Sequence, residues 1–197
     1  MNSFTNQKGI NMKKSFYKRL AIGVLLPVFI FGALQISEEL GSITGSGVTK
    51  GGEVFPVVVK SFTLDISEPV AGVREITFTI PTKNITTEKW MRDVHMRMSV
   101  FKKSYPNVLF SARTGAELVP GHVNLEGELT INSVSKPISV NLDLKDINGS
   151  LVAEGSLEVS LKEFGIKRPG MGPMKVLDTV SMKFNISIPS KKDITTL

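Results

Sequence analysis

Apolar and polar residues alternate along most of the chain after residue 75. In three runs the alternation is strict: 123–131, 138–144 and 180–188. Four further runs alternate less regularly: 76–80, 94–100, 108–112 and 151–161. Alternation places apolar side chains on one face of a β-strand and polar side chains on the other. The pattern therefore predicts an all-β fold with about eight strands, each with one apolar face.

The segments between these runs indicate how the strands connect. Asn148-Gly149 predicts a hairpin, because both residues tolerate a positive φ. The parity of the apolar positions switches between residues 57 and 66, which predicts a bulge near Lys60-Ser61. Helical pattern is limited to one or two short turns, at 87–92 and at 160–163. A sheet with one apolar face must stack or close, and short antiparallel strands in chain order favour an extended antiparallel barrel.

The first 37 residues differ in composition from the remainder. Residues 1–34 carry five basic and no acidic side chains, and 20–34 is an apolar run of 15 residues. Such a run matches a signal peptide and is short for a membrane span of about 20 residues. We predict a leader over 1–37, either cleaved or retained as an anchor through 20–34; a buried core helix is the third alternative. The expected location is periplasmic or secreted, or tethered to the inner membrane.

Charge and cysteine content exclude several classes of protein. The formal charge of +6 comes mainly from the leader, because the residues after 34 hold 19 basic and 18 acidic side chains. A nucleic-acid-binding domain would concentrate basic charge on its fold, so no nucleic-acid partner is expected. The chain has no cysteine, which excludes disulfides, thiolate metal sites and thiol catalysis.

Several short stretches occur in an order that resembles the YceI-like family. They are Ile80-Pro81-Thr82, Thr86-Thr87, Met91-Arg92-Asp93-Val94-His95-Met96, Tyr105-Pro106, Phe110-Ser111, Gly127-Glu128-Leu129-Thr130-Ile131, Lys136-Pro137-Ile138, Phe164-Gly165-Ile166 and Val176-Leu177-Asp178-Thr179-Val180. The resemblance implies an extended, lipocalin-like antiparallel barrel with a long interior pore for an isoprenoid chain. It also implies an exported, non-enzymatic protein.

The resemblance divides the remaining chain into three parts. Residues 53–190 are predicted to form the barrel, and 191–197 a C-terminal tail. The family usually opens with a strand that carries an aspartate and then a histidine-serine pair, but this chain has the glycine-rich stretch 43–52 in that place. Residues 38–52 are therefore predicted to be a flexible approach or a weak first strand. Closure of the barrel by that strand stays open, and an unpaired edge there would promote dimerisation.

A barrel that holds a lipid is expected to line its interior with aromatic, branched and methionine side chains. The candidate lining residues are Phe62, Phe78, Trp90, Met91, Met96, Met98, Phe110, Phe164, Ile166 and Phe184. The alternative for each is that it packs only against the rest of the barrel.

Arg92, Asp93 and His95 form the densest polar group in the chain. If 94–100 is part of a strand, Asp93 and His95 share a face. The group is predicted to form a polar mouth that binds a lipid headgroup; the alternative is an ion pair that fixes a loop. With two histidines and no third converging ligand, no metal is expected. No activating motif surrounds either histidine, so no catalytic residue is assigned.

These observations predict an exported protein that holds a polyisoprenoid, an isoprenoid quinone or a similar long-chain amphiphile in an apolar barrel, as a carrier or for storage. No cofactor is required; the lipid itself is the expected ligand and partner. The alternative is a periplasmic protein-interaction module whose barrel is filled by its own side chains and holds no lipid. The sequence leaves the oligomeric state open.

Overall fold

The computed structural model describes residues 41–188. Its strands are β1 (Gly41–Val48), β2 (Val54–Val59), β3 (Thr63–Ile66), β4 (Arg74–Pro81), β5 (Ile85–Thr86), β6 (Asn107–Thr114), β7 (Gly121–Ile131), β8 (Val134–Ile147), β9 (Ser150–Ser160) and β10 (Thr179–Ile188). The described residues contain one α-helix, α1 (Trp90–Ser99), and two 3₁₀ turns, Thr82–Asn84 and Gly172–Met174. The predicted leader and the predicted tail 191–197 lie outside the described residues.

All ten strands belong to one antiparallel sheet, in the order β3-β4-β6-β7-β8-β9-β10-β1-β2-β5. The prediction of an all-β, antiparallel barrel is confirmed, with ten strands in place of about eight. Most connections join neighbouring strands, as strict alternation with short links predicts. The Asn148-Gly149 hairpin is also confirmed: it joins β8 to β9, and both residues have positive φ.

The two ends of the strand order meet at a seam formed by short links of the chain. β2 continues into β3 through residues 60–62, and β4 continues into β5 through the 3₁₀ turn Thr82–Asn84. The amide of Lys60 donates to the carbonyl oxygen of Asn84 at 2.8 Å, and Asn84 Nδ2 donates to Ser61 Oγ at 2.7 Å. The predicted bulge is therefore the point where one long strand leaves β1 and begins to pair with β4.

Residues 41–48, within the segment predicted to be a flexible approach or a weak first strand, form a fully paired strand. β1 pairs with β10 on one side and with β2 on the other. Its glycines allow close approach of large neighbours: a Cβ on Gly45 would overlap Met182, and a Cβ on Gly47 would overlap the ring of Phe55. The first strand therefore contributes to barrel closure although it lacks large side chains.

Two local predictions are wrong. Residues 94–99 lie in α1 and not in a strand, although their apolar positions alternate. The predicted helical turn at Ser160–Glu163 is instead the end of β9 followed by a hydrogen-bonded turn, in which Ile166 N–H donates to Leu161 O at 2.9 Å. No helix among residues 41–188 is long and apolar enough to cross a membrane.

In an antiparallel sheet, successive connections between strands lie at opposite ends, so every second connection lies at the same end. We call one end the mouth; it comprises the connections 49–53, 87–106, 132–133 and 161–178. The far end comprises the connections 67–73, 115–120 and 148–149. The inward side chains form two buried clusters, one around Leu64 and Ile186 and one near the mouth around Leu129 and Phe164.

Candidate functional site

The curled sheet encloses a cavity of about 980 Å³. This volume lies at the upper end of the range of about 300–1,000 Å³ that is typical of small-molecule sites. Inward-facing residues of all the long strands line it, from Val176 and Ile131 near the mouth to Leu118 and Ile188 near the far end. The interior is therefore not filled by its own side chains, which disagrees with the alternative of a side-chain-filled barrel.

Two phenylalanines on the cavity wall lie against glycines of neighbouring strands. Phe184 faces Gly155 across the β9–β10 ladder, and Phe110 lies against Gly127 of β7. At both glycines a Cβ atom would overlap the phenylalanine ring. Glycine at these two positions therefore leaves room for the phenylalanine rings against the neighbouring strands.

Seven of the ten predicted lining residues lie on the cavity wall. They are Phe78, Met91, Met96, Met98, Phe110, Ile166 and Phe184. Phe62 is buried at the seam against Phe78, with ring centroids 6.0 Å apart. Phe164 is buried in the cluster near the mouth, and Trp90 is 73% exposed on the outside of α1. These last three are therefore not part of the wall.

All the polar side chains on the cavity wall lie at the mouth. They come from the β1–β2 connection and from residues 87–99: Thr49, Glu53, Thr87, Lys89, Arg92, His95 and Ser99. Every other lining residue is apolar, glycine or proline. The cavity thus has one polar end and a long apolar interior, which suits a molecule with a polar head and an apolar tail.

α1 determines which polar side chains face the cavity. A helix turns about 100° per residue, so Arg92, His95, Met96 and Ser99 share one face, and all four line the cavity. Asp93 and His95 were predicted to share a face of a strand. In the helix they are about 200° apart, and that prediction is wrong.

Arg92 is fixed at the mouth by two contacts. Its Nη2 donates to Glu53 Oε1 at 2.7 Å, and its guanidinium carbon lies 4.4 Å from the ring centroid of Phe55, a cation–π arrangement. The hydrogen bond and the charge of Arg92 lower the pKa of Glu53, and Lys89 lies 3.5 Å from the same carboxylate oxygen. Arg92 Nη1 is buried and has no partner among the described residues. Buried guanidinium donors are normally satisfied, so an unpaired donor at this position is unusual.

Asp93 does not line the mouth. Its Oδ1 accepts hydrogen bonds from Thr87 N–H at 2.6 Å and Thr87 Oγ1 at 2.7 Å, and its Oδ2 accepts one from Thr86 Oγ1 at 2.6 Å. Burial raises the pKa of Asp93, but these hydrogen bonds and the charge of Arg97 outweigh that effect and lower it. Asp93 therefore fixes the start of α1 to β5. This corresponds to the structural alternative for Asp93, although its partners are threonines and not a cation.

Thr49, Glu53, Thr87, Lys89 and Ser99 were not predicted to belong to the site. Ser99 follows Arg92 and His95 at helical spacing, and that periodicity was the one available signal. Thr49 and Glu53 precede β2 and reach the site only because β1 and β2 enter the barrel. Among residues 41–188, no group of three or more histidine, aspartate or glutamate side chains could hold a metal ion.

Comparison with known proteins matches this chain to one family model and to relatives of the same family. The model of the YceI-like domain matches residues 39–188. A UPF0312 protein of Pseudomonas aeruginosa is 33% identical over 121 residues, which cover 57% of this chain and 61% of the relative. The chain thus aligns with less than two thirds of that relative's length.

Solved structures share the fold at low sequence identity. A polyisoprenoid-binding domain from Saccharophagus degradans superposes with a TM-score of 0.63 at 14% identity, covering 78% of this chain and 97% of that domain. BcnA of Burkholderia cenocepacia superposes with a TM-score of 0.61 at 17% identity, covering 76% of this chain and 96% of BcnA.

Proposed function

Because the chain belongs to the YceI-like family, we propose that it is an exported binding protein that holds a long apolar amphiphile in its barrel. The ligand class we favour is a polyisoprenoid or an isoprenoid quinone. The observation that carries this proposal is the polarity of the cavity: every polar lining side chain is at the mouth, and the remaining wall is apolar. The polyisoprenoid-binding neighbour from S. degradans supports the same ligand class.

Binding of the tail follows from burial of apolar surface. Each methylene group transferred from water to the cavity contributes about 0.8 kcal/mol. The wall needs only to be dry and adaptable, and Met91, Met96 and Met182 supply flexible side chains for an irregular tail. This role requires no acid or base, and we assign no catalytic residue. We propose that the protein acts as a carrier or a store in the periplasm or outside the cell.

Native mass spectrometry tests the proposal directly. The chain is purified from a bacterial host and weighed before and after extraction with organic solvent. We expect an additional mass that extraction removes, identified in the extract as an isoprenoid lipid or quinone. Repeated preparations without any extractable mass, from protein that is folded, would contradict the proposal.

We further propose that Arg92 and His95, which both line the mouth, bind the headgroup, with the Arg92 guanidinium as the main donor. The test compares an isoprenyl diphosphate with the isoprenol of the same tail. Arg92→Gln should weaken binding of the diphosphate about tenfold or more, because a charge-assisted hydrogen bond is lost. Binding of the isoprenol should change little. Arg97→Gln, on the same helix but not on the cavity wall, is the control; equal losses in both variants would argue against a specific headgroup contact.

A further inference from the structure

The placement of polar and apolar side chains on α1 differs from that of an ordinary surface helix, whose apolar side chains face the protein and whose polar side chains face solvent. The face of α1 toward the cavity carries Arg92, His95 and Ser99. An adjoining exposed side carries an apolar stripe about 100° wide, which consists of Trp90, Met91, Val94 and Met98. Met91 and Met98 lie at the edge of this stripe and also border the cavity mouth. Trp90 is 73% exposed and Met98 is 79% exposed. A stripe of that width normally packs against another element. Within residues 41–188, however, Met91 is also 54% exposed, and Val94, the most covered of the four, is 37% exposed.

Further exposed apolar side chains lie at the mouth. Met171 and Met174, on the β9–β10 connection, are exposed, and Tyr105 and Leu177 are partly exposed. That connection is joined to the β1–β2 connection by hydrogen bonds from Lys50 N–H to Lys175 O and from Gly51 N–H to Pro173 O, both 2.8 Å. The β1–β2 connection in turn is joined to α1 by the Glu53–Arg92 ion pair. The apolar groups therefore belong to one hydrogen-bonded rim.

The charge of this rim distinguishes it from the far end. The segments 49–53, 87–106 and 161–178 hold ten basic and five acidic side chains. The far-end segments 67–73, 115–120 and 148–149 hold two acidic and no basic side chains. Exposed valines also occur at the far end, Val70 and Val119 among them, but an anionic surface would repel the acidic groups beside them.

We propose that the mouth rim docks on an anionic phospholipid bilayer, with the apolar stripe of α1 inserted at the level of the headgroups. Methionine and tryptophan side chains surrounded by lysine and arginine are the composition of interfacial membrane-binding helices. Basic residues add attraction to anionic lipid. Docking in this orientation places the cavity mouth against the membrane. The inference concerns the outside of the rim and does not depend on which molecule the cavity holds.

Trp90 is the single tryptophan of the chain, so its fluorescence reports on this stripe alone. The full chain is mixed with vesicles of phosphatidylcholine and phosphatidylglycerol, with and without brominated acyl chains. We expect a blue shift and quenching by the brominated lipid at low salt, both reduced at high salt. A leader that tethers the protein without docking of the rim would leave the Trp90 emission unchanged, which would overturn the proposal.

Charge reversal provides matched variants. Lys102→Glu with Lys103→Glu should reduce docking on the order of tenfold or more. Lys60→Glu with Lys83→Glu makes the same change in net charge at the seam, outside the rim, and should dock like the parent chain. Equal quenching in both double variants would contradict the proposal. So would a Trp90 that is already protected from acrylamide without vesicles, since another segment or a second copy would then cover the stripe.

If docking fails while an extractable lipid is still found by native mass spectrometry, only the membrane inference is overturned. If docking occurs without an extractable lipid, only the proposed ligand is overturned. The two readouts therefore distinguish the two proposals.

Discussion

Arg92 and Asp93 are neighbours in sequence, but they contribute to the site in different ways. Arg92 faces the cavity and keeps one buried N–H group without a partner among the described residues. Asp93 points to β5, and both of its oxygens accept hydrogen bonds from Thr86 and Thr87. The sequence indicated a polar group at this position. It could not show that Arg92 would line the cavity and Asp93 would hold α1 to β5, because that division depends on the helical turn.

Asp93→Asn should destabilise the protein by about 1–3 kcal/mol, because an amide cannot accept all three of the hydrogen bonds that the carboxylate accepts. The measurement is urea unfolding followed by circular dichroism. Glu126→Gln, at an exposed position on the outer face of β7, is the control and should change stability by less than about 0.5 kcal/mol. A loss no larger than that of the control would contradict the assigned role.

The same residue predicts a pH dependence. The folded-state pKa of Asp93 lies below the ordinary value of 3.8, so the charged form contributes its full stabilisation above pH 3.8. That contribution is lost as the pH falls through the depressed folded-state pKa. The difference in unfolding free energy between the parent chain and Asp93→Asn should therefore shrink below pH 3.8. A difference that stays constant down to pH 2 would show that another feature of the variant causes the loss.

At the scale of elements, α1 is held at both ends by side chains outside it. Asp93 is bound by residues of β5 and of the link to α1, and the residues after the helix are bound by Asn132 in the β7–β8 turn. Asn132 Nδ2 donates to Val100 O at 2.6 Å, and its Oδ1 accepts from Lys102 N–H at 2.9 Å. These contacts position a ten-residue helix that would be only marginally stable on its own.

Asn132→Gly should test the second attachment without backbone strain. Asn132 has a φ of 52°, which glycine adopts freely, so the variant removes mainly the two side-chain hydrogen bonds. We expect a loss of about 1–3 kcal/mol in unfolding free energy. Asn148→Gly is the matched control, since Asn148 has a φ of 56° and an exposed side chain in the other two-residue turn. Similar small changes in both variants would contradict the attachment.

Period-two alternation predicted most strands correctly because each strand has one apolar and one wet face. The same rule failed at residues 94–100, where Val94, Met96, Met98 and Val100 also alternate. There the contacts of Asp93 and Asn132 select a helix, and such contacts depend on residues far away in sequence. Of the lining aromatics on regular strands, Phe78, Phe110 and Phe184 were predicted and Phe55 was missed. Trp90 and Phe164 lie on a helix and a connection, where strand parity does not apply.

At the scale of the described barrel, the cavity extends along the inner face of the sheet, so a block at one point should limit the length of tail that enters. Ala153 of β9 is buried and lies on the cavity wall, opposite Leu144 and Ile186 in the ladders. It is one of the smallest side chains on that wall. Enlarging it should therefore remove space from the ligand and not from the surface.

Ala153→Leu should weaken binding of a tail that fills the cavity. Displacement of about three methylene groups costs about 2 kcal/mol, or roughly thirtyfold in affinity. The measurement is the amount of lipid retained in native mass spectra. Ser156→Leu adds the same side chain on the exposed face of β9 and should retain as much lipid as the parent chain. Undiminished lipid in Ala153→Leu, in folded protein, would place the tail elsewhere.

The separation of polar and apolar lining residues has an evolutionary consequence. Residues 87–99 and the β1–β2 connection carry every polar group of the cavity wall, whereas the strands carry most of the apolar surface. Under the proposed function, changes in one short segment would therefore alter which headgroup is accepted and leave most of the compartment for the tail unchanged. Proteins that share these strands but differ in this segment are expected to have diverged in headgroup selectivity and to have kept the same tail length.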